Sequence, residues 1–339
     1  MKTESIIIAV STIVLLMATH IYTFLYTPPS QEGIVKTVFI PHGASFSIIA
    51  RELEKEGIVT DAGKFSLLAK FKGALTKIKA GEYEFTTSMT PLEALDRMLK
   101  GEIKYYTITI PEGYTIKEIA AILHSINIAD KNEFMAKAFD RAFAASLGIE
   151  GNNVEGYLFP DTYKFTRGMT VEEIIKKMVQ RFDRVYSEII SQKPSGLRMS
   201  KRQIVTLASI IEKETGAGME RPLISAVFHN RLKIGMRLES DPTVIYGING
   251  FNGNLTRKDL LTRTPYNTYQ IYGLPPGPIA NPGRASLEAA IAPSSAPYIF
   301  FVSKNDGTHY FSKSLREHNK AVQFYQRRLA KNQKIGIRN

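Results

Sequence analysis

Between Ile6 and Tyr26 the chain reads IIIAVSTIVLLMATHIYTFLY, a run with no Asp, Glu, Lys or Arg. As a helix rising 1.5 Å per residue it would span about 31 Å, the thickness of a bilayer core. The run exceeds the ~7–15 residue apolar region of a signal peptide, and no A-x-A cleavage site follows. It therefore reads as an uncleaved transmembrane helix at 6–26 behind a short cytoplasmic N-terminus at 1–5. His20, Tyr22 and Tyr26 would sit toward one interface, where amphipathic rings collect. Lys2 and the terminal amine face only Glu4, a weak basic excess that places the N-terminus inside. Thr27-Pro28-Pro29 ends the helix. The expectation is a single-pass protein of the cytoplasmic membrane with the bulk of the chain on its outer side.

That placement decides how the charge is read. The formal net charge is +12 and the pI about 9.5, which favours an anionic partner: nucleic acid, phospholipid headgroups or an acidic wall polymer. A membrane helix that exports the basic domains removes nucleic acid. There is no cysteine, so neither disulfides nor thiolate metal sites can form. The six histidines show no HxH or HExxH spacing, and no metal or cofactor is expected. With 339 residues and 44% hydrophobic content the chain can build two or three cores.

The next 150 or so residues contain a duplication. Ile40-Pro-His-Gly43 returns as Ile110-Pro-Glu-Gly113, and Tyr83-Glu-Phe-Thr-Thr-Ser-Met-Thr90 returns as Tyr163-Lys-Phe-Thr-Arg-Gly-Met-Thr170, in the same order. Each half reads as a strand into a glycine turn (38–43; 105–113), two helices, and a strand (81–86; 162–166). Helix starts are signalled by Thr90 with Glu93 and Pro91, by Thr115 with Glu118, and by Thr170 with Glu173. The result is βααβ twice, each followed by a helix, at 34–104 and 105–192. Gly43-Ala-Ser-Phe-Ser-Ile-Ile-Ala50 and Gly113-Tyr-Thr-Ile-Lys-Glu-Ile-Ala120 resemble the opening of LysM modules, which bind N-acetylglucosamine-containing glycans. A structural repeat without a sugar site is the alternative.

A Lys-Pro-Ser-Gly linker at 193–196 then opens a C-terminal domain, 197–339, with SKRQIVTLASIIEKETG from Ser200 to Gly216. Ser200 and Gln203 form a capping box. Ile204, Leu207, Ala208 and Ile211 make one apolar face, with Arg202, Thr206 and Lys213 pointing away. At about 100° per residue Glu212 and Glu214 fall on opposite flanks of that face. Either carboxyl can then be half-buried, the setting that raises its pKa and makes a general acid. A second helix is expected over 220–232, with Leu223, Val227, Phe228 and Leu232 on one face. The segment Thr264 to Gly277 is dense in Tyr, Asn, Pro and Gly, as a rigid loop at a carbohydrate cleft would be. Asn305-Asp-Gly307 marks a hairpin, and Ser314 with Glu317 caps a last helix leading into a basic tail.

Ala208-Ser-Ile-Ile-Glu-Lys-Glu-Thr215, Phe228 to Leu238, Ser240-Asp-Pro-Thr-Val-Ile-Tyr-Gly247, Tyr266-Asn-Thr-Tyr269 and Gly273-Leu-Pro-Pro-Gly277 together resemble the YceG-like (MltG) family of endolytic peptidoglycan transglycosylases. The resemblance implies an α+β chain: one N-terminal transmembrane helix, duplicated βααβ LysM-like units, and a mixed α/β catalytic domain with its catalytic Glu on a helix. It places the acid on Glu214, the second glutamate of the E-K-E-T run, with the hydroxyl of Thr215 directly after it. It implies a bacterial cytoplasmic membrane, peptidoglycan glycan strands as substrate, and cell-wall synthases as partners. Asp241, Asn267 and Tyr269 are the candidates for substrate positioning, with Glu212 and Thr215 beside them. Glu214 is expected on the wall of a cleft lined by Asp241 and residues 266–277. Two alternatives stay open: a muramidase-type hydrolase, for which Asp241 would be the second carboxylate, and a non-catalytic membrane-anchored wall-binding protein.

Overall fold

The computed structural model describes residues 2–191 and 198–328; the linker at 193–196 and the basic tail beyond 328 lie outside the described residues. The chain is a mixed α/β protein that opens with a long apolar helix, α1 (Lys2–Tyr26). Its segment Glu4–Tyr26 has a mean hydropathy of 2.0 with none of it buried. A helix this apolar and this exposed is long enough to cross a bilayer.

Two compact units follow, each with its own core. The first holds residues up to Ile108 together with Ile126–Ala129 and Tyr163–Thr170. In it β1 (Val35–Ile40) leads to α2 (Phe46–Lys55), α3 (Ala62–Phe71), β2 (Gly81–Thr86) and α4 (Pro91–Lys100). Strands β1 and β2 pair antiparallel, from Val35 opposite Thr86 to Ile40 opposite Gly81. Alternation puts Val38 and Ile40 of β1 on the same buried face, against Phe46, Ile49 and Leu53 of α2 and Leu95 and Met98 of α4. The expected capping box closes on α4: Thr90 accepts from the Glu93 N–H, Glu93 accepts from the Thr90 N–H, and Pro91 stands in the first turn.

The segment read from sequence as the second repeat begins with β3 (Tyr106–Thr109), continues through α5 (Ile116–Ser125), α6 (Lys131–Ala138) and α7 (Arg141–Ser146), three helices where two were expected, and returns in β4 (Thr162–Phe165), which pairs with β3. Gly43 and Gly113, at matching places after their strands, both have φ +75°, a left-handed conformation that glycine adopts without strain. The two segments differ in what their helices join. α5, α6 and α7 belong to the second compact unit, with α8 (Val171–Ile190) and everything after it.

That unit is built around α9 (Lys201–Glu214), whose expected Ser200–Gln203 capping box is present. The one-sided face predicted for α9 needs correction. Every residue from Ile204 to Ile211 is buried, Thr206 included, as in a central helix enclosed on all sides. Ser209, equally buried, donates its hydroxyl back to the Thr206 carbonyl at 2.7 Å. After a short 3₁₀ turn comes α10 (Arg221–Lys233), which buries Ile224, Val227, Phe228 and Arg231. Leu223 and Leu232, expected on the buried face, are only partly covered. Then follow α11 (Asp241–Tyr246), α12 (Arg257–Leu261), α13 (Arg284–Ile291), the hairpin β5 (Phe300–Ser303) and β6 (His309–Ser312), and α14 (Leu315–Val322). The hairpin turns at Asn305–Gly307 as its sequence requires, with Lys304 N–H donating to the Thr308 carbonyl.

Candidate active site

Glu214 is the last residue of α9. Its carboxyl opens into a cleft of about 510 Å³ whose walls include Arg231 of α10, Asp241 at the start of α11, Tyr269, and Phe301 and His309 of the hairpin. Ser240 Oγ donates to Glu214 Oε1 at 2.6 Å. Burial pushes this carboxyl up, and the neighbouring Asp241 charge pushes the same way; the Ser240 hydrogen bond, with His309 and Arg231, pulls against them. Burial prevails because a desolvated carboxylate loses more than one hydroxyl returns. The cleft therefore holds a carboxyl biased toward its protonated, proton-donating form beside an exposed one, Asp241.

Asp241 Oδ1 accepts from the Tyr269 hydroxyl at 2.7 Å, so these two candidates lie in the cleft as a bonded pair. Asn267 does not reach it. That residue has 0% exposure. Its amide donates to the carbonyls of Asp259, Leu260 and Thr262, and its Oδ1 accepts from the Tyr269 N–H. Its side-chain groups thus satisfy loop backbone and leave nothing for a substrate, which corrects the expectation that it positions sugar. What it supports is the placement of Thr268, fully buried, whose hydroxyl accepts from the Ser240 N–H at 3.0 Å and lies 2.8 Å from Thr243 Oγ1. Asn267 thus pins the loop, Thr268 pins Ser240, and Ser240 holds the acid.

The other two candidates serve the helix end. Glu212 leaves α9 on the flank away from Glu214: Oε1 accepts from Arg221 Nη2 at 3.1 Å and Oε2 from the Gly283 N–H at 3.0 Å, with its side chain only 6% exposed. Thr215 Oγ1 donates back to the Ile211 carbonyl at 2.6 Å. Within 266–277 only Tyr269 lines the Glu214 cleft. Tyr266 turns instead to a second cavity on the other side of α11.

Sequence reasoning passed over Ser240, Arg231, His309 and Glu220. Arg231 is buried, donating to the carbonyls of Ile299 and Leu238 at 2.8 and 2.6 Å, and so ties α10 to the hairpin. His309 is set by Glu220, whose Oε1 accepts its N–H at 3.0 Å and whose Oε2 lies 2.7 Å from its Nδ1. Ser240 and Arg231 do fall inside runs singled out above, but a run does not say which of its residues faces the acid. His309 carried only a hairpin signal.

The sequence profile of the YceG-like family matches residues 38–324. The chain is 35% identical over 324 residues to an "Endolytic murein transglycosylase" of Bacillus subtilis (strain 168), covering 89% of each protein. It is 31% identical over 318 residues to a protein of the same name from Streptococcus pneumoniae serotype 2, covering 84% of this chain and 57% of that one. A crystal structure of a yceG-like protein from Listeria monocytogenes, 36% identical, aligns with a TM-score of 0.57 over 84% of this chain and 98% of the other. Sequence profile, relatives and solved structure agree, and the chain belongs to the YceG-like family.

Proposed function

We propose that the protein is a peptidoglycan lytic transglycosylase with Glu214 as its acid. The observation that carries the reading is the half-buried Glu214 carboxyl, held by Ser240 in a cleft that also presents Tyr269, Asp241 and Arg231, in a chain so similar to proteins named endolytic murein transglycosylases. The chemistry suits one dominant acid. Glu214 gives its proton to the glycosidic oxygen between N-acetylmuramic acid and N-acetylglucosamine; the C1–O bond breaks, and an oxocarbenium-like centre forms at C1. The 6-hydroxyl of the same muramic acid attacks C1, and Glu214, now a carboxylate, removes that hydroxyl's proton. The ring closes as a 1,6-anhydro sugar and the acid is restored, with no water consumed.

The rest of the reading follows the chain. α1 anchors the protein once in the bacterial cytoplasmic membrane, with the remainder on the outer side, where nascent glycan strands and the synthases that extend them are found. Internal cuts there would end strand elongation. The two repeats act as LysM-like glycan-binding units, and the domains run 34–104, 105–192 and 197–339. Deleting 34–104 would then weaken binding to long strands more than it slows cleavage of a short soluble oligosaccharide. An alkaline phosphatase fused after Asn339 would be active only outside the cytoplasm.

Product analysis tests the reaction. Purified glycan strands treated with the full-length protein should yield fragments ending in 1,6-anhydro-muramic acid, detected by mass spectrometry. Asp241, exposed in the same cleft, favours a second reading as a hydrolase with two carboxylates, which would leave reducing ends instead. Glycan binding without any cut would make the protein a wall anchor.

A further inference from the structure

The second compact unit contains a larger cavity, of about 1030 Å³, that plays no part in holding the acid. It shares two walls with the acid's cleft. On α9 the adjacent residues Glu214 and Lys213 line the acid's cleft and this cavity respectively, and on α11 Asp241 lines the first while Ile245 and Tyr246 line the second. α11 has six residues, about 9 Å at 1.5 Å per residue, so little more than one short helix divides the two.

The lining is what a saccharide needs. Tyr246 and Tyr266, ring centroids 4.9 Å apart and tilted by 56°, stand partly exposed with Phe251 and offer broad amphipathic faces. Asn153, Asn249 and Lys117 add amide and ammonium groups to the lining. Aromatic faces interspersed with hydrogen-bonding groups suit a sugar, whose rings carry apolar faces and hydroxyl rims. Its aromatic wall is also built. The Tyr246 hydroxyl donates at 3.2 Å to Glu155, a fully buried carboxyl that also accepts from the Ile116 N–H and from Asn281 at 3.0 Å. A carboxyl with that many donors fixes the Tyr246 ring rather than leaving it to rotate.

We propose that this cavity binds further saccharide units of the same glycan strand, on one side of the bond that Glu214 cleaves. The inference rests on the transglycosylase reading, because an enzyme that cuts inside a strand must hold sugars on both sides of the cut. A strand leaving the acid's cleft past α11 meets Ile245, Tyr246 and Tyr266 next.

The test uses the full-length protein and purified glycan strands with two readouts: the ladder of product lengths, and strand affinity in a Glu214→Gln background. Tyr266→Ala and, separately, Phe251→Ala should shift the ladder and weaken strand binding by about tenfold, whereas Tyr266→Phe, which keeps the ring, should restore both. Since the ladder is a ratio, a partly unfolded Tyr266→Ala sample does not distort it, and Phe251→Ala decides independently. Wild-type ladders and affinities in both alanine variants would overturn the inference while leaving the reaction intact. If wild-type protein binds strands without cutting them and the alanine variants lose that binding, the cavity stands and the reaction assignment falls. If it neither cuts nor binds, both fall.

Discussion

Ser240 Oγ donates to Glu214 Oε1 at 2.6 Å, and this bond opposes the burial that raises the carboxyl. Removing it should therefore strengthen the acid's hold on its proton. Ser240→Ala deletes a hydrogen bond worth about 1 kcal/mol, more when its acceptor is charged. The alkaline limb of the kcat/KM profile, which falls as Glu214 deprotonates, should move to higher pH. An unmoved limb would mean that another group sets it.

Glu214→Gln keeps the shape and removes the transferable proton. Because one group serves both proton transfers, turnover should fall toward the upper end of the 10²–10⁴-fold range for general acid–base catalysis. Strand affinity should persist. Full activity in this variant would refute the assignment.

Glu212 is tied to Arg221 and to the Gly283 backbone, so its replacement should register in stability before activity. Glu212→Gln retains an acceptor for the Gly283 N–H but discards the charge opposite a mostly buried guanidinium. A loss of roughly 1–3 kcal/mol in urea unfolding is expected, with kcat/KM falling far less than in Glu214→Gln. A collapse of activity with unchanged stability would put Glu212 in the chemistry.

Burial pushes the Glu155 carboxyl from its ordinary 4.5 up to about 8, despite the donors around it. The folded protein therefore keeps this proton through the range in which the unfolded chain has lost it. Stability is fullest at low pH and declines as pH rises from about 4.5 toward 8, by at most ~1.4 kcal/mol per pH unit from this group. Glu155→Gln should flatten that decline, read as the pH dependence of the unfolding midpoint. A slope identical to wild type would show that Glu155 is not the group responsible.

The helix α9, its capping box, the hairpin and the strand at Gly81–Thr86 were all legible because each is written in local chemistry: a cap, a glycine turn, an alternation. Glu212 and Glu214 were correctly placed on opposite flanks by angular spacing alone. Thr206 and Asn267 were misjudged for one shared reason. Polar side chains read as wet until their surroundings are known, and the packing that encloses Thr206 and the three loop carbonyls that bind Asn267 arise only on folding. Ser240 was missed by the same logic in reverse. It precedes Asp241, the more eloquent residue, and its role depends on Thr268, which is remote in sequence.

Glu214 occupies the final position of α9, and peptide dipoles aligned along a helix leave about half a negative charge at that end. A carboxylate formed there meets a repulsion of some 0.3–1 kcal/mol from the backbone itself, acting in the same sense as burial. No side-chain substitution removes it. The acid's reluctance to ionise is thus partly a property of where the chain stops being helical, and transferring the same glutamate to the first turn would reverse the sign of that contribution.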